Sequence, residues 1–239
     1  MNIQDAVVLV TGSNRGIGKE LVYALSQAGA RKIYAGVRKI PSLSFDGLTS
    51  EIVPLSFDVS DQAALAEIKQ QADDVTLVIN NAGVLSSGDI LEVSEDIIKY
   101  NFETNFFGAL AVAKAFVPVI EANGGGAIVN VLTLLSLASM PAFAAYNASK
   151  AATWSMTLSL RASLADTNVA VHSVFPGPVD TDMLDGIEMP KTSPGDVAKA
   201  IVAGINQNEE DIFPDPMSKE VYAAWSANHK DVEKQFAQM

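Results

Sequence analysis

The chain has 239 residues, no cysteine, two histidines, and 16 basic against 28 acidic residues, for a net charge of −12. Lack of cysteine excludes a disulfide framework, a thiolate metal site and a cysteine nucleophile, and His172 and His229 are too far apart for the usual zinc spacings, so no metal is expected. The acidic balance repels phosphate backbones and no basic stripe offsets it, which argues against a nucleic-acid partner.

The first strand-like run is AVVLVT (6–11), preceded by a segment with an acid at Asp5 and no basic n-region of a signal peptide. With the absence of cysteine, this sets the expectation of a reducing, cytoplasmic setting. TGSNRGIG (11–18) follows and opens a helical pattern over 17–29. In that strand–turn–helix context Gly12, Gly16 and Gly18 allow a sharp turn and close approach of a pyrophosphate, while the helix start offers free N–H groups and a positive dipole end. Ser13, Asn14, Arg15 and Ile17 complete the turn.

The second strand, KIYAGV (32–37), ends in Arg38 and Lys39, and no carboxylate appears until Asp46. An acid at that strand end would hold a ribose 2′-hydroxyl; Arg38 there, with Arg15 in the glycine turn, suits a 2′-phosphate, so NADP(H) is the expected cofactor. KIPSLSFDGLTS (39–50) replaces a full helix with a Pro/Ser/Gly-rich connection before the third strand, EIVPLSF (51–57). Asp58, just before Val59, either accepts from an adenine amino group or caps the next helix, 61–72. VTLVIN (75–80), a helix over 94–122, AIVNVL (127–132), a helix over 144–165, NVAVHSVF (168–175), a helix over 194–206 and a short strand from Asp211 follow, and Met217 onward reads as a terminal helix. Asp61, Ser94 and Ser193 are placed as N-caps, with Pro194 in a first turn. Apolar strands separated by helices imply an α/β chain with one parallel sheet of about seven strands and helices on both faces, and no linker divides it.

No charge appears from Ala122 to Ser149, a length that would permit a membrane span. Gly124–Gly126, Asn130, Thr133, Ser136, Ser139 and Pro141 interrupt it, so a short strand, a loop and a helix start fit better and no membrane is expected.

NNAG (80–83), Asn105 within TNFFG, YNASK (146–150) and PGPVDTDM (176–183), in this order behind TGSNRGIG, resemble the motifs of the short-chain dehydrogenase/reductase family, of the carbonyl-reductase type, over nearly the whole chain. The resemblance implies a single-domain Rossmann fold over 1–239 and NAD(P)-dependent hydride transfer between a carbonyl and an alcohol. It implies that Asn81, Ala82 and Gly83 flank the cofactor and that Pro176, Gly177 and Val179 form a turn beside the nicotinamide, with Thr181 at its carboxamide. It further implies that Tyr146 gives the proton to the carbonyl oxygen, that Lys150 holds the ribose, and that Asn105 holds a relay water.

Tyr146 and Lys150 are four residues apart and share one helix face. A phenol near pKa 10 is a poor base for the reverse reaction, and bringing it close to neutrality takes roughly 4 kcal/mol, which a nearby ammonium and the nicotinamide charge are expected to supply. The family usually carries a serine thirteen positions before the tyrosine, where this chain has Thr133, a stiffer side chain that keeps the hydroxyl. The expected pocket, Leu85, Leu134, Leu135, Ala138, Met140, Phe143, Met183, Leu184 and Met189, with 178–193 as a substrate loop, holds no cation for a carboxylate. An uncharged apolar carbonyl compound or alcohol is therefore the expected partner. The rival readings are a reductase of β-ketoacyl groups on an acyl carrier protein, which VLSSGDI after NNAG disfavours for want of a basic residue, and an NADP(H) sensor without turnover. The resemblance also implies a homodimer or homotetramer pairing through helices at about 103–122 and 150–165, the second with an apolar face of Ala151, Ala152, Trp154, Met156 and Leu158. His172 is read as a structural hydrogen-bonder and His229 as solvent-facing.

Overall fold

The strands are apolar on both faces because helices cover both faces. The computed structural model describes residues 1–39 and 45–239, so part of the connection expected over 39–50 lies outside the described residues. Among them run β1 (Val7–Thr11), β2 (Lys32–Val37), β3 (Glu51–Ser56), β4 (Leu77–Asn80), β5 (Gly126–Val131), β6 (Val169–Val174) and β7 (Asp211–Ile212). They form one seven-stranded sheet in the order β3-β2-β1-β4-β5-β6-β7, with every pairing parallel. β1, β2, β4 and β5 are almost wholly buried. β3, at the edge, is mostly uncovered and tolerates Pro54, which has no N–H to give a ladder.

Helices α1 (Gly16–Gln27) and α6 (Pro194–Gln207) cover one face, where Leu21, Leu25, Val197 and Ile201 meet Val8, Val10 and Ile79. On the other face α2 (Gln62–Gln71) and α4 (Ala109–Ala122) bring Leu65, Ile68, Val112, Phe116 and Ile120 onto Leu9, Val78 and Ile128. α3 (Glu95–Phe102), α5 (Ala144–Ser163) and α7 (Pro216–Phe236) complete the set. The expected caps are in place: Asp61 accepts from Ala63 N and Ala64 N, Ser94 from Ile97 N and Ser193 from Asp196 N. Asp58 takes no part in capping α2; its Oδ1 accepts from the backbone and hydroxyl of Ser60.

Two expectations need correction. The single helix over 94–122 is two α-helices joined by a π-turn, Glu103–Gly108, whose extra residue bulges the backbone where Asn105 sits. The stretch long and apolar enough to cross a membrane, among the described residues, is Glu95–Ala122 and not the charge-free run; 44% of its most apolar window is buried in the protein. The charge-free run itself becomes β5, a 3₁₀ turn at Leu134–Ser136 and the start of α5.

Because the strand order reverses between β1 and β4, the connections after them leave in opposite directions and open a crevice at the carboxyl ends of the strands. Every element of the site described next borders that crevice.

Candidate active site

One end of the crevice is made of backbone. Gly12 has a φ of +67°, and a Cβ there would come within 2.9 Å of Ala82 Cα. Gly18 faces harder sterics: a Cβ would sit 2.1 Å from Gly12 O and 2.4 Å from Asn81 Nδ2. The turn is locked from the neighbouring strand. Asn81 Nδ2 donates to Thr11 O at 2.9 Å and to Gly12 O at 3.1 Å, and Thr11 Oγ1 accepts from Asn81 N and Ala82 N. Asn80 points the other way, donating to Asn130 Oδ1 and Ala109 O, and so joins β4 to β5 and α4.

Gly12, Asn14, Arg15, Gly16, Ile17, Gly18, Arg38, Asp58, Val59, Asn81, Ala82, Gly83, Pro176, Gly177, Val179 and Thr181 all line one continuous cleft of about 1050 Å³. Ser13 stands apart from them. It is fully buried beneath the turn, its backbone and hydroxyl both donating to Gly36 O, so it supports the loop from within. Arg15 is engaged across the cleft with Asp182 of the 178–193 loop, Nη1 to Oδ2 at 3.0 Å. Arg38 and Lys39 are exposed at the end of β2. The glycine cradle, which any side chain would fill, fits a pyrophosphate, and the basic pair beyond β2 fits a further phosphate.

At the middle of the cleft α5 presents Tyr146 and Lys150, both buried. Lys150 Nζ donates to Val131 O at 2.8 Å and lies 6.0 Å from the centre of the Tyr146 ring. Burial lowers the Lys150 ammonium to about 8. The phenol is pushed up to about 12 by burial, with the adjacent Thr133 hydroxyl pulling it down. Among the protein's own groups burial thus dominates the phenol, and the Lys150 ammonium is turned to a carbonyl.

Thr133 ends the extension of β5 and caps the 3₁₀ turn, its Oγ1 accepting from Leu135 N at 3.3 Å. That uses a lone pair and leaves the hydroxyl proton to donate. Ser136 is buried behind it, its hydroxyl without a partner among the described residues, and does not line the cleft. Asn105 is also buried. Its Oδ1 accepts from Val84 N, and its Nδ2 donates to Val84 O and Ser149 Oγ, each at 2.9 Å. Its backbone carbonyl accepts from Thr153 Oγ1 at 3.0 Å. The side chain expected to hold water thus fastens the π-turn to the loop after β4 and to α5.

The other end of the cleft is made of side chains. Leu85, Leu134, Leu135, Met140, Phe143, Met183, Leu184 and Met189 line it as expected. Ala138 does not; it is buried against Val232 and Phe236 of α7. Ile187, Met217, Phe236 and Met239 line it too, and sequence reasoning did not single them out as pocket residues. The mixed face of the terminal helix was the only signal, and nothing local says that this face returns to the cleft. A buried carboxylate missed for the same reason, Asp215, caps α7.

Other readings resolve simply. His172 is buried and its Nδ1 donates to Glu209 O at 2.6 Å, with burial holding its basicity down, while His229 is exposed. Of the apolar face expected on α5, Met156 is buried and Trp154 packs edge-on against Phe175 and Trp225 within the chain, which leaves Leu158 as the exposed large residue.

A doubly wound sheet with a phosphate cradle at its switch point and a tyrosine–lysine pair over the same cleft defines a nucleotide-dependent oxidoreductase. The family model described as short chain dehydrogenase matches residues 6–191. Dehydrogenase/reductase SDR family member 7B of Bos taurus is 30% identical over 245 residues, covering 90% of this chain and 75% of that protein. The 1-deoxy-11-beta-hydroxypentalenate dehydrogenase of Streptomyces exfoliatus is 34% identical over 225 residues, covering 86% and 79%. Among solved structures, a short chain dehydrogenase from Burkholderia cenocepacia J2315 in complex with NADP is 37% identical with a TM-score of 0.92, covering 99% of both chains. The chain belongs to the short-chain dehydrogenase/reductase family.

Proposed function

We propose that the protein is an NADPH-dependent reductase of uncharged, apolar ketones or aldehydes, running in reverse as an alcohol dehydrogenase. The observation that carries this reading is a buried Tyr146 phenol beside the Thr133 hydroxyl, at the border between the backbone-lined and the apolar ends of one cleft. A nicotinamide bound in the first end supplies the hydride.

The chain's own residues do the rest. The raised Tyr146 phenol holds its proton at neutral pH, as a donor to a carbonyl oxygen must. Thr133 offers a second donor to the same oxygen and polarises the C=O as negative charge develops. Lys150, near the upper edge of the neutral range, carries a positive charge in most molecules at pH 7 and supports the phenolate left after transfer. Arg38 and Arg15 favour a 2′-phosphate over a bare ribose hydroxyl, and the NADP of the Burkholderia protein is in keeping with this.

The lining cations are Arg15, Arg38, Lys39 and Lys150, and the segments forming the apolar chamber contribute none. Neutral substrates are therefore preferred. Among the described residues the apolar chamber offers no basic side chain to an acidic carrier protein, which keeps the ketoacyl reading second. Exposed Phe107 and Leu158, on the helices the resemblance assigns to pairing, support a homodimer or homotetramer. The test is NADPH oxidation followed with a panel of neutral ketones, aldehydes and keto acids; faster turnover of the keto acids would overturn the substrate assignment.

A further inference from the structure

Asp215 is 2% exposed, lies on none of the sequence motifs, and hydrogen-bonds one expected site residue, Gly177. Its two carboxylate oxygens have separate tasks. Oδ1 accepts from Ser218 N at 2.8 Å and caps α7. Oδ2 accepts from Gly177 N at 2.8 Å, in the turn that walls the cleft. The cap is reciprocal, since Ser218 Oγ accepts from Asp215 N at 3.1 Å and donates to Asp215 O at 2.8 Å. The same carboxylate crowds the turn closely: a Cβ on Gly177 would lie 2.9 Å from Oδ1. From this anchor the first segment of α7 carries Met217 into the lining of the apolar chamber; past a non-helical break at Asn228 (φ −155°, ψ 93°) its second segment brings Phe236 there, and Met239 follows just beyond its end.

We propose that Asp215 is a positioning residue that fixes the Pro176–Gly177 turn relative to the start of α7, so that the wall beside the nicotinamide and the Met217 wall of the substrate chamber move as one piece. This rests on the reading that the cleft holds NADPH with its nicotinamide at that turn. A capping residue needs one acceptor, which serine or asparagine supplies as well as aspartate. The second oxygen, buried and aimed at a backbone N–H of a different loop, does nothing for the helix. It satisfies the part-buried Gly177 amide, and a charged acceptor makes that bond stronger than a neutral one.

Two substitutions separate the tasks. Asp215→Asn keeps a cap oxygen for Ser218 N but turns an N–H donor toward the Gly177 N–H, and Asp215→Ser keeps the cap and leaves Gly177 unpaired. Ser218→Ala breaks the reciprocal cap and leaves the bond to Gly177 whole. With purified full-length protein, the Asp215 variants are expected to raise the NADPH KM about tenfold, the loss of one charge-assisted hydrogen bond. They should also change the enantiomer ratio of the alcohol formed from a prochiral ketone. Ser218→Ala is expected to lower Tm while leaving both readouts at the wild-type value.

A merely structural role lowers the amount of folded enzyme but leaves KM and the enantiomer ratio alone. If Asp215→Asn does not fold, Asp215→Ser carries the test. Asp215 variants that lose stability as Ser218→Ala does, with unchanged KM and enantiomer ratio, overturn the coupling. Wild-type protein that fails to bind NADPH, read by cofactor fluorescence, overturns the cofactor reading itself and this inference with it.

Discussion

The two ends of the cleft are built from different materials. The cofactor end is backbone, with Gly12 and Gly18 packed against Ala82, Asn81 and each other so closely that a methyl group has no room. The substrate end is side chain: leucines and methionines from the loop after β5, from the 178–193 loop and from α7, chain segments brought together only by the fold. Backbone geometry tolerates almost no substitution and leaves a local sequence signature, whereas an apolar wall tolerates many residues of similar volume and leaves none. Between the two ends stand Tyr146, Thr133 and Lys150, and the sharpest tests of the contrast begin there.

Tyr146→Phe removes the proton to be transferred to the carbonyl oxygen and keeps the ring's packing. It is expected to cut kcat by about 10²–10⁴, the usual worth of a positioned acid, with NADPH affinity unchanged by fluorescence titration. A variant that turns over normally would remove the junction from the chemistry. Thr133→Ala is expected to follow at about 10²–10³, the cost of losing one donor to a developing oxyanion.

Gly18→Ala tests the backbone end. Its Cβ would meet Gly12 O at 2.1 Å, and a carbonyl held by Asn81 cannot swing aside. A stability loss of about 3 kcal/mol is expected from such overpacking, seen as a lower Tm together with weakened NADPH binding. Tm and affinity both within error of wild type would mean that the turn is looser than its packing implies.

This contrast also sets what the sequence discloses. The glycine turn, NNAG and the Tyr146–Lys150 pair are legible because each works through neighbours a few residues away. The strands themselves follow from the apolar runs between them, whereas their order in the sheet does not. The π-turn around Asn105 is hidden, since its cause lies in Val84, Ser149 and Thr153 from other elements. Asp215 and Phe236 are hidden for the same reason: a cap and an amphipathic helix look alike wherever the helix finally lies. Lys150, four residues from Tyr146, is visible in sequence, whereas the burial that raises the phenol is not.

That burial makes a pH prediction with a definite sign. The folded-state Lys150 is lowered from 10.5 to about 8, so below 8 both folded and unfolded chains carry the charge and the cost of burying it is fully present. Between 8 and 10.5 the folded chain releases the proton while the unfolded chain keeps it, and stability rises with pH. Above 10 the Tyr146 phenol, raised to about 12, remains protonated in the folded chain as it ionises in the unfolded one, and stability falls again. Lys150→Met is therefore expected to gain Tm relative to wild type below pH 8 and to lose that advantage by pH 10, while turnover collapses. A Tm difference independent of pH over this window would show that Lys150 is solvated, and with it the whole junction.

The smallest effect is expected three residues from one of the largest. Ser136 is as buried as Thr133, but its hydroxyl has no partner among the described residues and faces away from the cleft. Ser136→Ala removes an unsatisfied buried hydroxyl and leaves a void of one oxygen atom, a change that costs little and relieves a desolvation penalty of about 1–3 kcal/mol. Turnover should match wild type and Tm should hold or rise slightly. Thr133 and Ser136 share one 3₁₀ turn, so a general disturbance of that turn would affect both variants alike. A fall in kcat for Ser136→Ala comparable to that for Thr133→Ala would mean the turn acts as a unit, and the assignment of a single donating hydroxyl would have to be withdrawn.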